Sequence, residues 1–196
     1  MPPKNKYEKE AILAAAFTIA KEYGIEAVTA RDVAARLGTS SKPVYTAFAN
    51  MEELKRAILK TAEAVFERYQ ERELKNTEYL PYKALGMAYV RFAKEEKELF
   101  KMLYMRDRHG EPKGSEQDPS YEKAIFAVEK QTGLDYDEAV IFHTEMWLYV
   151  HGIAVTLATS YLEWDFALIS RTITDVYEGL KLRHSAEKGT GYEKHH

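Results

Sequence analysis

Apolar residues along this chain recur at helical spacing from end to end. The first stripe is Ile12, Ala15, Ala16, Ile19, Ala20 and Tyr23, within a helix expected over Tyr7–Tyr23 and closed by Gly24. Two short helical patterns follow. Thr29 is placed to cap the first, whose Val33, Ala34 and Leu37 share a face. Gly38 breaks it, and Ser40 is placed to cap a second helix anchored by Val44 and Phe48. Two short helices joined by a turn read as a helix-turn-helix. From Asn50 to about Lys75, Leu54, Ile58, Ala62, Val65 and Tyr69 line one face of a long helix. Pro81 marks a fresh start, and the pattern runs helically to about Met105, with a bend expected where periodicity lapses at Lys94-Glu-Glu-Lys97.

A charged, Gly- and Pro-containing loop follows from Arg106, and Asp118-Pro119-x-x-Glu122 reads as a capped helix start, with Gly133 closing that helix. From about Tyr136 to Tyr161 apolar residues cover nearly the whole circumference, so this helix must be buried on several sides. Asp165 can cap the last helix, where Phe166, Ile169, Ile173, Val176, Tyr177 and Leu180 share a face. The tail from Ser185 reads as disordered. No hairpin signal or alternating strand pattern competes, so the fold expected is all-α. The expected division is a DNA-binding module over 1–50, a helical regulatory and dimerisation domain over 51–184, and the tail over 185–196.

The turn region carries the most specific signal. The run Val33-Ala34, Gly38-x-Ser40, Val44-Tyr45-x-x-Phe48 and Glu52-x-Leu54 resembles the DNA-binding domain of TetR-family repressors over roughly the first 60 residues. The chain departs from that pattern at Lys42, Pro43, Ala47 and Met51. Met51 stands where the family commonly has a phosphate-contacting lysine, and Lys55, one turn later, is the candidate to replace it. Pro43 falls in the first helical turn, where its missing N–H has no intrahelical partner to lose.

The resemblance implies contacts with double-stranded DNA from Thr29, Arg31, Thr39, Ser40, Ser41, Lys42, Pro43, Tyr45, Thr46 and Lys55. Thr29, Ser40 and Tyr45 would meet phosphates, with Arg31 a further phosphate contact, while Lys42 and Thr46 are the candidates for base edges. The alternative for the hydroxyls is plain helix capping, and for the two cations a solvated surface charge. In TetR-family proteins the last two long helices pair with those of a second subunit. The resemblance therefore implies a homodimer, with Val155, Ile169, Ile173 and Val176 at its interface. Trp147-x-x-x-His151-Gly152 also resembles a Trp-His-Gly signature of some TetR regulatory domains.

An effector pocket, if the regulatory domain holds one, would be lined by Phe92, Phe100, Leu103, Tyr104, Phe126, His143, Trp147 and His151; the alternative is a solid core. A small apolar or aromatic effector is expected to tilt the long helix and release a repressor from a palindromic operator. No metal site is expected, because no Glu-x-x-His or His-Glu-x-x-His occurs, and no cofactor either.

Composition changes this picture little. The 196 residues include no cysteine, which removes disulfides, thiolate metal sites and cysteine nucleophiles. No Gly-x-Gly-x-x-Gly or Gly-x-Ser-x-Gly occurs, so an enzyme is not expected; the rival reading is a helical carrier or enzyme that retains a helix-turn-helix. Net charge is −3, but residues 1–56 hold nine Lys/Arg against seven Asp/Glu, leaving the acidic excess to the remainder. The opening Met-Pro-Pro-Lys-Asn-Lys lacks the apolar core of a signal peptide, and Met146–Leu162 is short for a membrane span, so a cytoplasmic protein without membrane contact is expected.

Overall fold

The computed structural model describes residues 8–107, 109 and 119–190. Its helices are α1 (Lys9–Tyr23), α2 (Ala30–Arg36), α3 (Lys42–Ala47), α4 (Met51–Leu74), α5 (Pro81–Glu95), α6 (Lys97–Tyr104), α7 (Pro119–Thr132), α8 (Tyr136–Ala158) and α9 (Phe166–Thr190), with a 3-10 turn at Ile25–Ala27. No strand occurs among the described residues, and the fold is all-α. Gly110–Asp118 of the expected loop and helix cap lie outside the described residues.

Local sequence places most boundaries. Thr29 caps α2 by accepting from the Asp32 N–H at 3.2 Å, and Asp165 caps α9 by accepting from Leu168 N–H at 2.7 Å. Asp135 does the same for α8 through Glu138 N–H at 3.0 Å. The expected bend at Lys94–Lys97 is a full break at Glu96, which leaves helical geometry and separates α5 from α6. The tail expected to be disordered from Ser185 is instead helical through Thr190.

Two compact units emerge, and each interleaves chain segments. The first takes the described parts of Met1–Arg68 together with Phe92–Asp107; the second takes Tyr69–Arg91 and the described residues beyond Arg108. This differs from a cut at residue 50. The start of α4 and all of α6 bury their apolar residues with the helix-turn-helix, which no periodicity could reveal. In the first unit α1 packs on α2, α3 and α6. Lys21 reaches Glu96 at 2.7 Å, and Phe66, Phe92, Phe100 and Tyr104 form one ring cluster with neighbouring centroids 5.2–6.5 Å apart.

In the second unit α8 is central, packing on α7 and α9. It is the one described helix long and apolar enough to cross a membrane. Its inner side, however, is occupied by protein: Phe142 is fully buried against Tyr82, Tyr177 and His184. At Gly86, which stands between Tyr82 and Tyr89 on α5, an added Cβ would come 3.8 Å from Val150 of α8, so the two helices approach closely there.

Burial also corrects the expected interface. Ile169 and Ile173 are buried in the subunit's own core, at 0% and 2% exposure, while Val155 and Val176 are only half-buried. The exposed apolar positions of α8 and α9 include Tyr136, Ile141, Trp147, Leu148, Leu168 and Leu182. A charge at a core position leaves an unpaired ion out of water and costs several kcal/mol. Ile173→Glu is therefore expected to unfold the second unit, read as loss of helical circular dichroism signal and of a cooperative thermal transition.

Candidate nucleic-acid interface

The turn of the helix-turn-helix is set by Gly38. At φ +65° it adopts a conformation that costs other residues about 1 kcal/mol, and it lets Gly38 N–H reach Ala35 O at 3.1 Å and Thr39 N–H reach Ala34 O at 2.9 Å. Both bonds satisfy carbonyls at the end of α2. The chain then turns into α3, only six residues long, with Pro43 in its first turn as expected.

A helix this short has no stability alone. Val44 and Phe48, each 1% exposed, pin it to the unit. Lys9 Nζ lies 4.5 Å from the Phe48 ring centroid and 2.8 Å from Glu53, so the start of α1 roofs the anchor. Glu53 in turn accepts from Ala49 N–H at 2.7 Å while Asn50 accepts from Glu53 N–H at 2.9 Å, a reciprocal cap at the start of α4. The bond from Lys9, and next that from Ala49, holds the Glu53 carboxyl below its usual pKa.

With its inner side pinned, α3 exposes Lys42, Tyr45 and Thr46. Tyr45 is 57% exposed. Thr46 is exposed, and its hydroxyl donates to Lys42 O at 2.9 Å. Ser41, not Ser40, occupies the N-cap of α3, and it makes no capping bond. Ser40 is exposed and Thr39 half-buried.

Among the described residues Arg31 and Lys42 have no carboxylate partner, whereas Arg36 is held by Glu22 through two bonds of 2.9 and 3.1 Å. Lys55, expected to stand in for the missing phosphate lysine, is half-buried and paired with Glu26 at 3.3 Å. The Thr29 hydroxyl donates to the Asp32 carboxylate while accepting from Asp32 N–H, so its single proton is taken. A concavity of about 430 Å³ opens beside this first turn of α2, lined by Ile19, Tyr23, Ala27, Thr29, Asp32 and Arg36.

Residues 12–58, which contain this whole arrangement, match the model of the N-terminal domain of bacterial regulatory proteins of the tetR family. The fold of the chain agrees. It superposes on a TetR-like transcriptional regulator from Rhodococcus sp. RHA1 with a TM-score of 0.61 at 13% identity, covering 91% of this chain and 95% of that one. A TetR-family member from Streptomyces coelicolor A3 gives 0.56 at 18% identity, covering 91% and 98%. A transcriptional regulator from Rhodococcus sp. Rha1 gives 0.53 at 17% identity, covering 91% and 97%. No curated protein matches the sequence.

The residues expected to line an effector pocket are divided between the two units. Phe92, Phe100, Leu103 and Tyr104 belong to the first unit, where the first three are buried and Tyr104 packs edge-on against Phe66 and tilted against Phe100. Phe126 lies 60% exposed on α7, with Lys130 Nζ 5.3 Å from its ring centroid. His143, Trp147 and His151 do share a side of α8. Each histidine meets a buried tyrosine of α5: Tyr82 Oη is 2.9 Å from His143 Nδ1, and Tyr89 Oη is 2.9 Å from His151 Nδ1. Trp147 stacks on His151 at 4.8 Å and 13°.

This pairing could not be read from the sequence. Spacing places residues on a helix face, but not opposite a partner helix. Among the described residues no cluster of His, Cys, Asp or Glu could hold a metal ion.

Burial pushes both tyrosine phenols up and both imidazoles down, His143 to about 4 from an ordinary value of 6.5. Between these values the unfolded chain binds a proton at residue 143 that the folded chain refuses. Stability should therefore fall as pH drops from 6.5 toward 4. Thermal melts across that window are expected to show this loss, and His143→Gln, which does not titrate, should show a shallower one.

Proposed function

We propose that the chain is a homodimeric, ligand-responsive transcriptional repressor that acts in the cytoplasm on a palindromic operator. The observation that carries the DNA reading is the outward face of α3. A TetR-type helix of six residues is pinned by Val44 and Phe48, leaving Lys42, Tyr45 and Thr46 exposed beside unpaired Arg31. Lys42 is a donor-only group suited to guanine O6 and N7, and the exposed Thr46 can offer its methyl to thymine. Arg31 and Tyr45 serve phosphates, which fix register without reading sequence.

Dimerisation is supported by the open outer face of α8 and that of α9. Ile141, Leu148, Gly152 and Val155 on α8 recur at intervals of seven and three or four residues, and Leu168, Gly179 and Leu182 lie along α9. A Cβ at Gly152 or Gly179 would meet nothing within 4 Å, so a second pair of helices can approach these points closely. Two-fold pairing of these faces is self-complementary and presents two recognition helices to successive major grooves, about 34 Å apart.

The effector is a small apolar or aromatic molecule. The Tyr82–His143 and Tyr89–His151 pairs, with Trp147, supply the few polar groups that would orient it in an otherwise apolar unit. Because α4 contributes residues to both units, a tilt of that helix is the route by which effector and operator would oppose one another, and the opposition must be reciprocal. Native mass spectrometry of the purified protein tests subunit count and co-purified ligand together. A bound ligand with no DNA affinity would instead indicate a helical carrier.

Two outcomes test the operator and the dimer. Against duplexes selected from a random pool, Lys42→Ala is expected to cost about 1–3 kcal/mol at one base position, whereas Tyr45→Phe weakens all sequences alike. Fluorescence anisotropy reads both, and unchanged binding in the two variants removes the assignment. Leu148→Glu, at a position already 60% exposed, should leave the fold intact but give a monomer by sedimentation that has lost operator affinity. A wild type that is monomeric at micromolar concentration overturns the dimer.

A further inference from the structure

We infer that Asp32 is a specificity filter on the DNA-binding unit, a carboxylate that weakens sequence-independent attachment to phosphates and so widens the gap between operator and random DNA. The inference rests on the DNA reading above. In a helix-turn-helix the first helix crosses the sugar-phosphate backbone, and here that helix is α2. Its first turn exposes Thr29, Arg31 and Asp32 side by side.

Two observations single out Asp32. First, the Thr29 hydroxyl, the group expected to donate to a phosphate oxygen, gives its one proton to the Asp32 carboxylate. A phosphate offers only acceptors, so Thr29 has nothing to give it while that bond holds. Second, Asp32 is exposed and has no cationic partner among the described residues. Arg36, one turn further on α2 and on the same concavity, is neutralised by its two bonds to Glu22. The Glu22, Asp32 and Arg36 side chains together carry a formal charge of −1 beside α2, next to the single unpaired positive charge of Arg31.

Sequence-independent binding is set almost entirely by charge and counterion release. A carboxylate at the backbone-crossing helix subtracts from it at every register along the DNA. Base contacts made from α3 by Lys42 and Thr46 do not involve Asp32, so discrimination between sequences is retained while the background falls. A carboxylate in the first turn also favours the α2 helix through its dipole. Loss of that effect alone would lower stability and weaken binding to every duplex, the opposite direction.

The test compares wild type, Asp32→Asn and Asp32→Glu on a short mixed-sequence duplex and on the palindromic duplex that wild type selects from a random pool. Fluorescence anisotropy is recorded between about 50 mM and 200 mM salt. The asparagine variant is expected to bind the mixed-sequence duplex about tenfold tighter at the low-salt end, with the gain shrinking as salt screens the removed charge. Its selected-to-mixed affinity ratio should fall, and the glutamate variant should restore wild-type ratios. Equal or weaker binding of the mixed duplex by Asp32→Asn, or the same gain in Asp32→Glu, overturns the filter while leaving operator binding in place. A wild type with no salt-dependent affinity for either duplex overturns the DNA reading itself, and the filter with it.

Discussion

The candidate nucleic-acid interface depends on anchoring a helix that cannot stand alone. Six residues form too few intrahelical bonds to offset the entropy of ordering them, so α3 exists because Val44 and Phe48 are buried beneath it. That burial ties neighbouring features to the same task. Gly38 must take a positive φ for the chain to turn into α3, and Lys9 must leave solvent far enough to cover Phe48 while pairing with Glu53. The reciprocal Asn50 and Glu53 cap then starts α4 directly after the anchor. The outer side of α3 stays open, with Lys42, Tyr45 and Thr46 exposed, because two apolar side chains hold the helix from within.

Charge on this unit is arranged by pairing more than by amount. Lys9, Lys21, Arg36 and Lys55 are each committed to a carboxylate, which leaves Arg31 and Lys42 on the two short helices as cations without a carboxylate partner among the described residues. A net charge of −3 is therefore compatible with a nucleic-acid surface. Asp32 fits the same economy, since its carboxylate occupies Thr29 and offsets Arg31 at the helix that would lie nearest the backbone.

The second unit follows a different logic, built round a helix that is apolar on nearly all sides. The inner side of α8 is filled by Phe142, Met146, Val150, Ile153 and Leu157, and two tyrosine–histidine bonds flank its close approach to α5 at Gly86. Burying four polar ring groups is tolerable because each finds its partner. The opposite side keeps Ile141 and Leu148 in solvent. A single small unit has too little interior to cover such a helix completely, so its outer face stays open.

Local signals determined a great deal by themselves: the all-helical fold, the caps Thr29 and Asp165, the break near Glu96 and the helix-turn-helix with its outward Lys42, Tyr45 and Thr46. Each rests on a few consecutive residues, and capping, helical periodicity and glycine geometry act at that range. Tertiary structure decided what depends on partners distant in the chain. Ile169 and Ile173 share a face with Val176 in sequence, yet packing took the two isoleucines inward and left Val176 half-buried. Phe92 and Phe100 joined the ring cluster of the DNA-binding unit, and Phe126 turned to solvent. The commitment of Thr29 to Asp32, of Lys55 to Glu26, and of two histidines to two tyrosines on another helix were equally out of reach. A helical pattern states which residues share a side, but which side becomes the core is settled by the elements that arrive to cover it.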